Sequence, residues 1–178
     1  MGTPKAPPTA CLICAITYNS EEMAALGRDL LQAEFGTIAL ESAHYPFVFS
    51  SYYAPEMGDG LQKFFVSFAE LVEQDRLPEI KLRTNAIELN TATSGRRNLN
   101  LDPGYLDGAK VVLATTKNYD HRIYLGQGIF ADLHLRFRHG SFRPLEWTYP
   151  DYRQQLVLEF LNRVRAWYLA ACRSEGAK

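Results

Sequence analysis

The ten residues Ile129–Arg138 (IFADLHLRFR) decide the fold class. Ile129, Ala131, Leu133, Leu135 and Phe137 alternate with Phe130, Asp132, His134, Arg136 and Arg138. That is the period of a strand with one face buried and one wet. Gly126-Gln127-Gly128 before the run and His139-Gly140-Ser141 after it are turn formers. His121–Leu125 (HRIYL) and Ser141–Leu145 (SFRPL) are therefore predicted to flank it in an antiparallel meander.

Working outward, Lys110–Thr116 (KVVLATT) is a short apolar run suited to a central strand. In Asn98–Asp102, Leu99 and Leu101 face one way while Asn98, Asn100 and Asp102 face the other, and Asp102-Pro103-Gly104 is expected to close that strand in a turn. Upstream, Cys11–Tyr18 (CLICAITY) reads as a buried strand. Asn19 and Glu22 can form a capping box for a helix carrying Met23, Leu26, Leu30 and Ala33 and ending at Gly36. Thr37–Ser42 and His44–Phe49 look extended, Ser50–Gly60 (SSYYAPEMGDG) is a loop, and Leu61–Phe68 returns to strand composition. Pro78 starts a middle helix to about Asn90. A long last helix over about Pro150–Arg173 presents Leu156, Val157, Phe160, Leu161, Val164, Trp167 and Tyr168. The sum is an α+β domain: a largely antiparallel sheet with an N-terminal β-α-β unit, a middle helix and a long C-terminal helix, the helices on one face.

The 178 residues, 47% of them apolar, suit one domain over 11–173, with a flexible Pro-rich tail at 1–10 and a disordered end at 174–178. No apolar run is long enough to cross a bilayer, and MGTPKAPPTA lacks the apolar core of a secretory signal, so a cytoplasmic protein with no membrane partner is expected. The net charge of −1 argues against a general nucleic-acid binder. It hides a split: residues 1–90 carry six basic and twelve acidic side chains, residues 91–178 thirteen and eight. Such asymmetry means either an anion-handling second half or two halves that attract each other. Cys11 and Cys14 spell C-x-x-C, but on a strand positions i and i+3 face opposite ways, so buried thiols are expected rather than a redox or zinc pair.

Motifs exclude several chemistries. There is no phosphate loop of the G-x-x-x-x-G-K-[ST] type, no G-x-S-x-G and no H-E-x-x-H. Thr116-Lys117-Asn118-Tyr119-Asp120 approaches the guanine-reading Thr-Lys-x-Asp element, with its Asp one residue late. Asp132 and His134 share a strand face, yet Arg136 and Arg138 beside them would repel a cation, so no metal site is predicted. Trp147-Thr148-Tyr149-Pro150-Asp151-Tyr152 either plugs a core end or stacks on a planar ligand.

The stretch Arg96–Leu125 gathers the candidate site. Lys117 and Arg122 would neutralise an anionic small molecule, a nucleotide or phosphorylated metabolite. Tyr105, Tyr124 and Asn100 would add hydrogen bonds, and Lys81 would join from the middle helix. If the site is catalytic, as in a hydrolase or transferase, Asp102 and His121 are the proton carriers. The third reading is an interaction module, with a protein or a second copy as partner and no small ligand. The sequence names no cofactor.

The phrases Ile80–Asn85 (IKLRTN), Asn100–Leu106 (NLDPGYL), Leu113–Lys117 (LATTK), His121–Leu125 (HRIYL) and Trp147–Tyr152 (WTYPDY) resemble those of the bacterial domain-of-unknown-function family 4416. The resemblance runs from about Cys11 to Tyr168 and implies a single-domain cytoplasmic bacterial protein. Members sometimes carry a GTP-binding label, which the missing phosphate loop does not support. The family brings no catalytic residues with it.

Overall fold

In a computed structural model, residues 2–175 are described. The expected disordered end at 174–178 lies largely outside them. Nine strands form one open sheet: β1 (Ala10–Tyr18), β2 (Ile38–Glu41), β3 (Tyr45–Pro46), β4 (Gln62–Val72), β5 (Leu99–Leu106), β6 (Lys110–Thr115), β7 (Arg122–Gly126), β8 (Ile129–Arg138) and β9 (Ser141–Pro144). The order is β2-β4-β1-β5-β6-β8-β7, with β3 beside β4 and β9 beside β8. Every pairing between named strands is antiparallel. Among the described residues four α-helices accompany the sheet: α1 (Glu21–Phe35), α2 (Ala54–Met57), α3 (Leu77–Asn90) and α4 (Gln155–Glu175). No helix among the described residues is long and apolar enough to cross a membrane.

The α+β, largely antiparallel architecture is as the sequence predicts, but the helices divide between the two faces. Strand β1 is buried on both sides and shows why. Cys11, Ile13 and Ala15 meet Val157, Phe160, Leu161 and Val164 of α4, whereas Leu12, Cys14 and Ile16 meet α1 and Ile80 of α3. Cys11 and Cys14 thus belong to different core layers, as their spacing requires, and both are reduced and buried.

Three local readings are corrected. Helix α1 is capped by Ser20, whose hydroxyl accepts from the Met23 N–H, and not by Asn19, which bonds Met57 and Asn98. Its buried residues are Ala24, Gly27 and Leu31, because small side chains let the helix lie close against Leu99. Strand β8 does not alternate throughout. Val111 pairs with Leu135 and Val112 with Leu133, so His134 is an extra residue in a bulge. Beyond it Leu135 and Phe137 face the α4 core, on the side opposite Ile129 and Ala131.

The third correction bears on the site. Asp102-Pro103-Gly104 is not a turn but the middle of β5, which runs on to Leu106 and turns at Asp107.

Candidate functional site

Strands β5 and β6 pair only over Gly104–Leu106 and Val111–Leu113. Beyond Gly104 they part like the arms of a fork. At the crotch a Cβ on residue 104 would lie 2.4 Å from the Val112 carbonyl oxygen, so the close approach requires glycine. From Leu99 to Pro103, β5 has β1 on one side and, among the described residues, no strand on the other. Two side chains of α3 stand in for the missing strand. Glu88 accepts the Leu101 N–H at 2.6 Å and Lys81 donates to the Leu101 carbonyl at 2.8 Å. Backbone groups of alternate residues on a strand point the same way, so the nitrogen of Pro103 also faces the open side. The missing proline N–H therefore costs no ladder bond.

The fork opens a cleft of about 860 Å³, within the size range of small-molecule sites. Its floor follows from register. Thr17 pairs with Lys63 on one side and Asn100 on the other, and Ala15 pairs with Asp102. A polar row thus continues the apolar face covered by α4. Helix α3 contributes Lys81, Asn85, Glu88 and Leu89; β6 and the turn after it contribute Leu113 to Lys117. The wall opposite is aromatic, with Phe47, Phe49, Tyr52 and Tyr53 from the segment leading into α2, together with Tyr149.

Charge in the cleft is mostly internally compensated. Lys63 and Asp151, each with a side chain 4% exposed, pair at 2.6 Å. Lys63 also lies 5.1–5.6 Å from the ring centres of Phe47, Phe65 and Tyr152. Arg97 holds Glu56 through two bonds of 2.7 Å and Glu88 through one of 2.8 Å. Here the basic second half does meet the acidic first half. Burial raises the Glu88 carboxyl above its ordinary value, and the Lys81, Leu101 and Arg97 donors limit the rise. Asp102 is more accessible, accepting from Asn100 at 2.9 Å and lying 3.8 Å from Lys81. Lys117 is the one lining cation among the described residues with no carboxylate partner. Its ammonium sits 3.9 Å over the exposed ring of Tyr52.

At the edge of the cleft a second network centres on Asp132, a lining residue only 1% exposed. One carboxylate oxygen accepts from Arg122 at 3.0 Å with His121 at 3.4 Å; the other meets His134 Nδ1 at 3.1 Å. Nε2 of His134 accepts the Tyr149 N–H, which fixes the proton on Nδ1. Burial depresses the His134 pKa, only partly offset by Asp132, so the ring is held neutral. Burial alone would raise Asp132; the His134 bond and the Arg122 charge reverse this and hold it below the ordinary aspartate value. Burial pushes the Tyr149 hydroxyl up to about 12, and it accepts from Arg122 at 2.7 Å. His134 resembles a base oriented by a carboxylate, but both ring nitrogens are committed within the fold.

The sequence profile of the family described as Domain of unknown function (DUF4416) matches residues 8–168. The chain belongs to that family. No curated protein and no solved structure matches it. In this DUF4416 chain the structure brings four of the candidate residues, Lys81, Asn100, Asp102 and Lys117, to one cleft. It places the others elsewhere. Arg122 is buried and spends its donors on Asp132, the Lys117 carbonyl and Tyr149. His121 stacks on Trp147 at 4.9 Å, outside the cleft lining, so it does not face the cleft with Asp102. Tyr105 packs against the cluster of Leu77, Val112 and Ala114 on the other face, because odd residues of β5 point there. Tyr124 is exposed on the edge strand β7, against Phe130.

Sequence reasoning missed Glu88, Glu56 and, Tyr149 apart, the aromatic wall of the DUF4416 cleft. A signal for Glu88 existed. Lys81, Thr84 and Glu88 recur at helical spacing and are all buried, which is why the apolar stripe of α3 looks weak.

Proposed function

We propose that the cleft binds a small organic anion of the nucleotide or phosphorylated-metabolite kind, best matched by a nucleoside monophosphate. The observation that carries this reading is Lys117, which has no carboxylate partner among the described residues at a cleft whose other cations are already partnered. An anionic group would exchange the weak Tyr52 contact for a charge-assisted hydrogen bond. The aromatic wall suits a flat body. Glu56, Glu88, Asp102, Asp132 and Asp151 line the same space, which favours one phosphate over three. Titration calorimetry with adenosine monophosphate, adenosine triphosphate and inorganic phosphate tests this. The monophosphate should bind most tightly, and Lys117→Ala should weaken it by about tenfold or more. Absence of binding at millimolar concentration, or equal affinity in the variant, would overturn the reading.

A second reading, self-association, is favoured by β7. This strand closes one end of the sheet order and shows Ile123, Tyr124 and Leu125 at 71%, 60% and 40% exposure. Light scattering over a wide concentration range tests it, and a strictly monomeric mass would remove it.

A further inference from the structure

Asp102 and Lys81 leave a defined polar gap in the cleft. The Lys81 side chain is only 8% exposed and spends one donor on the Leu101 carbonyl. Its ammonium stands 3.8 Å from Asp102 Oδ1, too far for a hydrogen bond. Asp102 Oδ2 is taken by Asn100, whereas Oδ1 has no hydrogen bond among the described residues. Glu56, Glu88, Asp132 and Asp151 are each hydrogen-bonded to an arginine or lysine, so Asp102 is the one lining carboxylate among the described residues with no cation in hydrogen-bond contact.

The chemistry of the pair restricts what can fill it. A ligand ammonium would meet Lys81 and a ligand anion would meet Asp102. A hydroxyl satisfies both, accepting from the ammonium and donating to the carboxylate. We propose that Asp102 and Lys81 form a hydroxyl-reading subsite, so that the cleft selects a sugar-bearing anion. This deepens the reading in which Lys117 takes the phosphate.

Four probes test it on the intact protein: adenosine monophosphate, its 2′,3′-dideoxy form, adenosine and 2′,3′-dideoxyadenosine. Affinities come from calorimetry, or from ligand-observed NMR for the weak ones. Loss of the hydroxyls should weaken binding about tenfold or more in the wild type, with or without the phosphate. In Asp102→Asn the same loss should shrink to a small factor. The wild-type comparison decides the matter even if the variant folds poorly. If the hydroxyls make no difference while the phosphate does, the subsite is overturned and the Lys117 reading stands. If the hydroxyls matter and the phosphate does not, the reverse holds. If none of the four binds, both fall.

Discussion

The Leu101 N–H reaches the Glu88 carboxylate at 2.6 Å, so a helix side chain completes a strand edge that no neighbouring strand covers. The same carboxylate accepts from Arg97 through its other oxygen. Glu88→Ala would leave a buried backbone donor and strip Arg97 of one partner, an expected cost of about 3 kcal/mol. Glu88→Gln keeps an acceptor and should lose less. Urea unfolding of the two variants measures both. Equal stability of Glu88→Ala and the wild type would mean that the strand edge needs no such partner.

Gly104 sits where the fork closes. Its replacement by Ala would push a methyl into the Val112 carbonyl and the Leu113 side chain, at 2.4 and 2.7 Å. Backbone on one side of the clash leaves little room to yield. The expected loss is about 2–3 kcal/mol, read by thermal or urea unfolding. A neutral result would show that β5 and β6 can separate further than this geometry implies.

The individual strands were legible because burial imposes a period of two on them, and Leu99, Leu101 and Ile129–Ala131 show it plainly. The cleft was not legible, because it depends on where two strands stop pairing. Pro103-Gly104 has turn composition, yet proline is harmless on an unpaired side and glycine is needed at a close approach. Likewise the His134 bulge reverses which β8 residues are buried, and alternation alone carries no mark of an inserted residue. Lys117 is legible because it follows the end of β6, and Asp102 because it lies on the polar side of an alternating strand, although its place is mid-strand and not at a turn; Glu56 and Arg97 meet from positions 41 apart, a contact only tertiary structure creates.

His134 sets a pH dependence. Its folded pKa is depressed below the ordinary value of 6.5, chiefly by burial. Below pH 6.5 the unfolded chain therefore takes up a proton that the native ring refuses. The contribution is present above that pH and is lost as pH falls through the depressed native value. Asp132, also depressed in the native state, acts in the same direction at lower pH, below its ordinary value of 3.8. Stability should fall on acidification from pH 6.5, and nitrogen NMR should show His134 as the Nδ1–H tautomer at pH 6. A protonated His134 ring at that pH would contradict the assignment.

Two buried hydroxyls should behave oppositely. Thr17 Oγ1 has no hydrogen-bond partner among the described residues, although the residue is fully buried. Thr17→Val removes an unsatisfied polar atom at constant shape and should be neutral or stabilising by about 1 kcal/mol. The Ser42 hydroxyl accepts the buried Phe65 N–H at 2.9 Å. Ser42→Ala should cost about 1–2 kcal/mol. Denaturant midpoints for both variants settle the contrast, and a destabilised Thr17→Val would reveal a partner for that hydroxyl.

The segment over residues 50–58 covers the cleft and is tied down by Tyr52 under Lys117, by Glu56 on Arg97 and by the Met57 carbonyl, which accepts from Asn19 at 3.3 Å. The first tie is exposed and weak. The second is bidentate and only partly exposed, so it does most of the holding. Glu56→Ala should therefore loosen residues 50–56 while leaving the core untouched, because Arg97 keeps Glu88 and Asn100 and the Met57 carbonyl keeps Asn19. Tyr52 and Tyr53 are chymotrypsin sites, so limited digestion should cut there several-fold faster in the variant. The midpoint of unfolding should move by no more than about 1 kcal/mol equivalent. Adenosine monophosphate bound at Lys117 would displace Tyr52 and leave the ties at Glu56 and Met57, both C-terminal to it. In the wild type the ligand should then raise the cutting rate at Tyr52 rather than protect it. Protection by the ligand would mean that Tyr52 closes over the bound molecule instead of yielding to it.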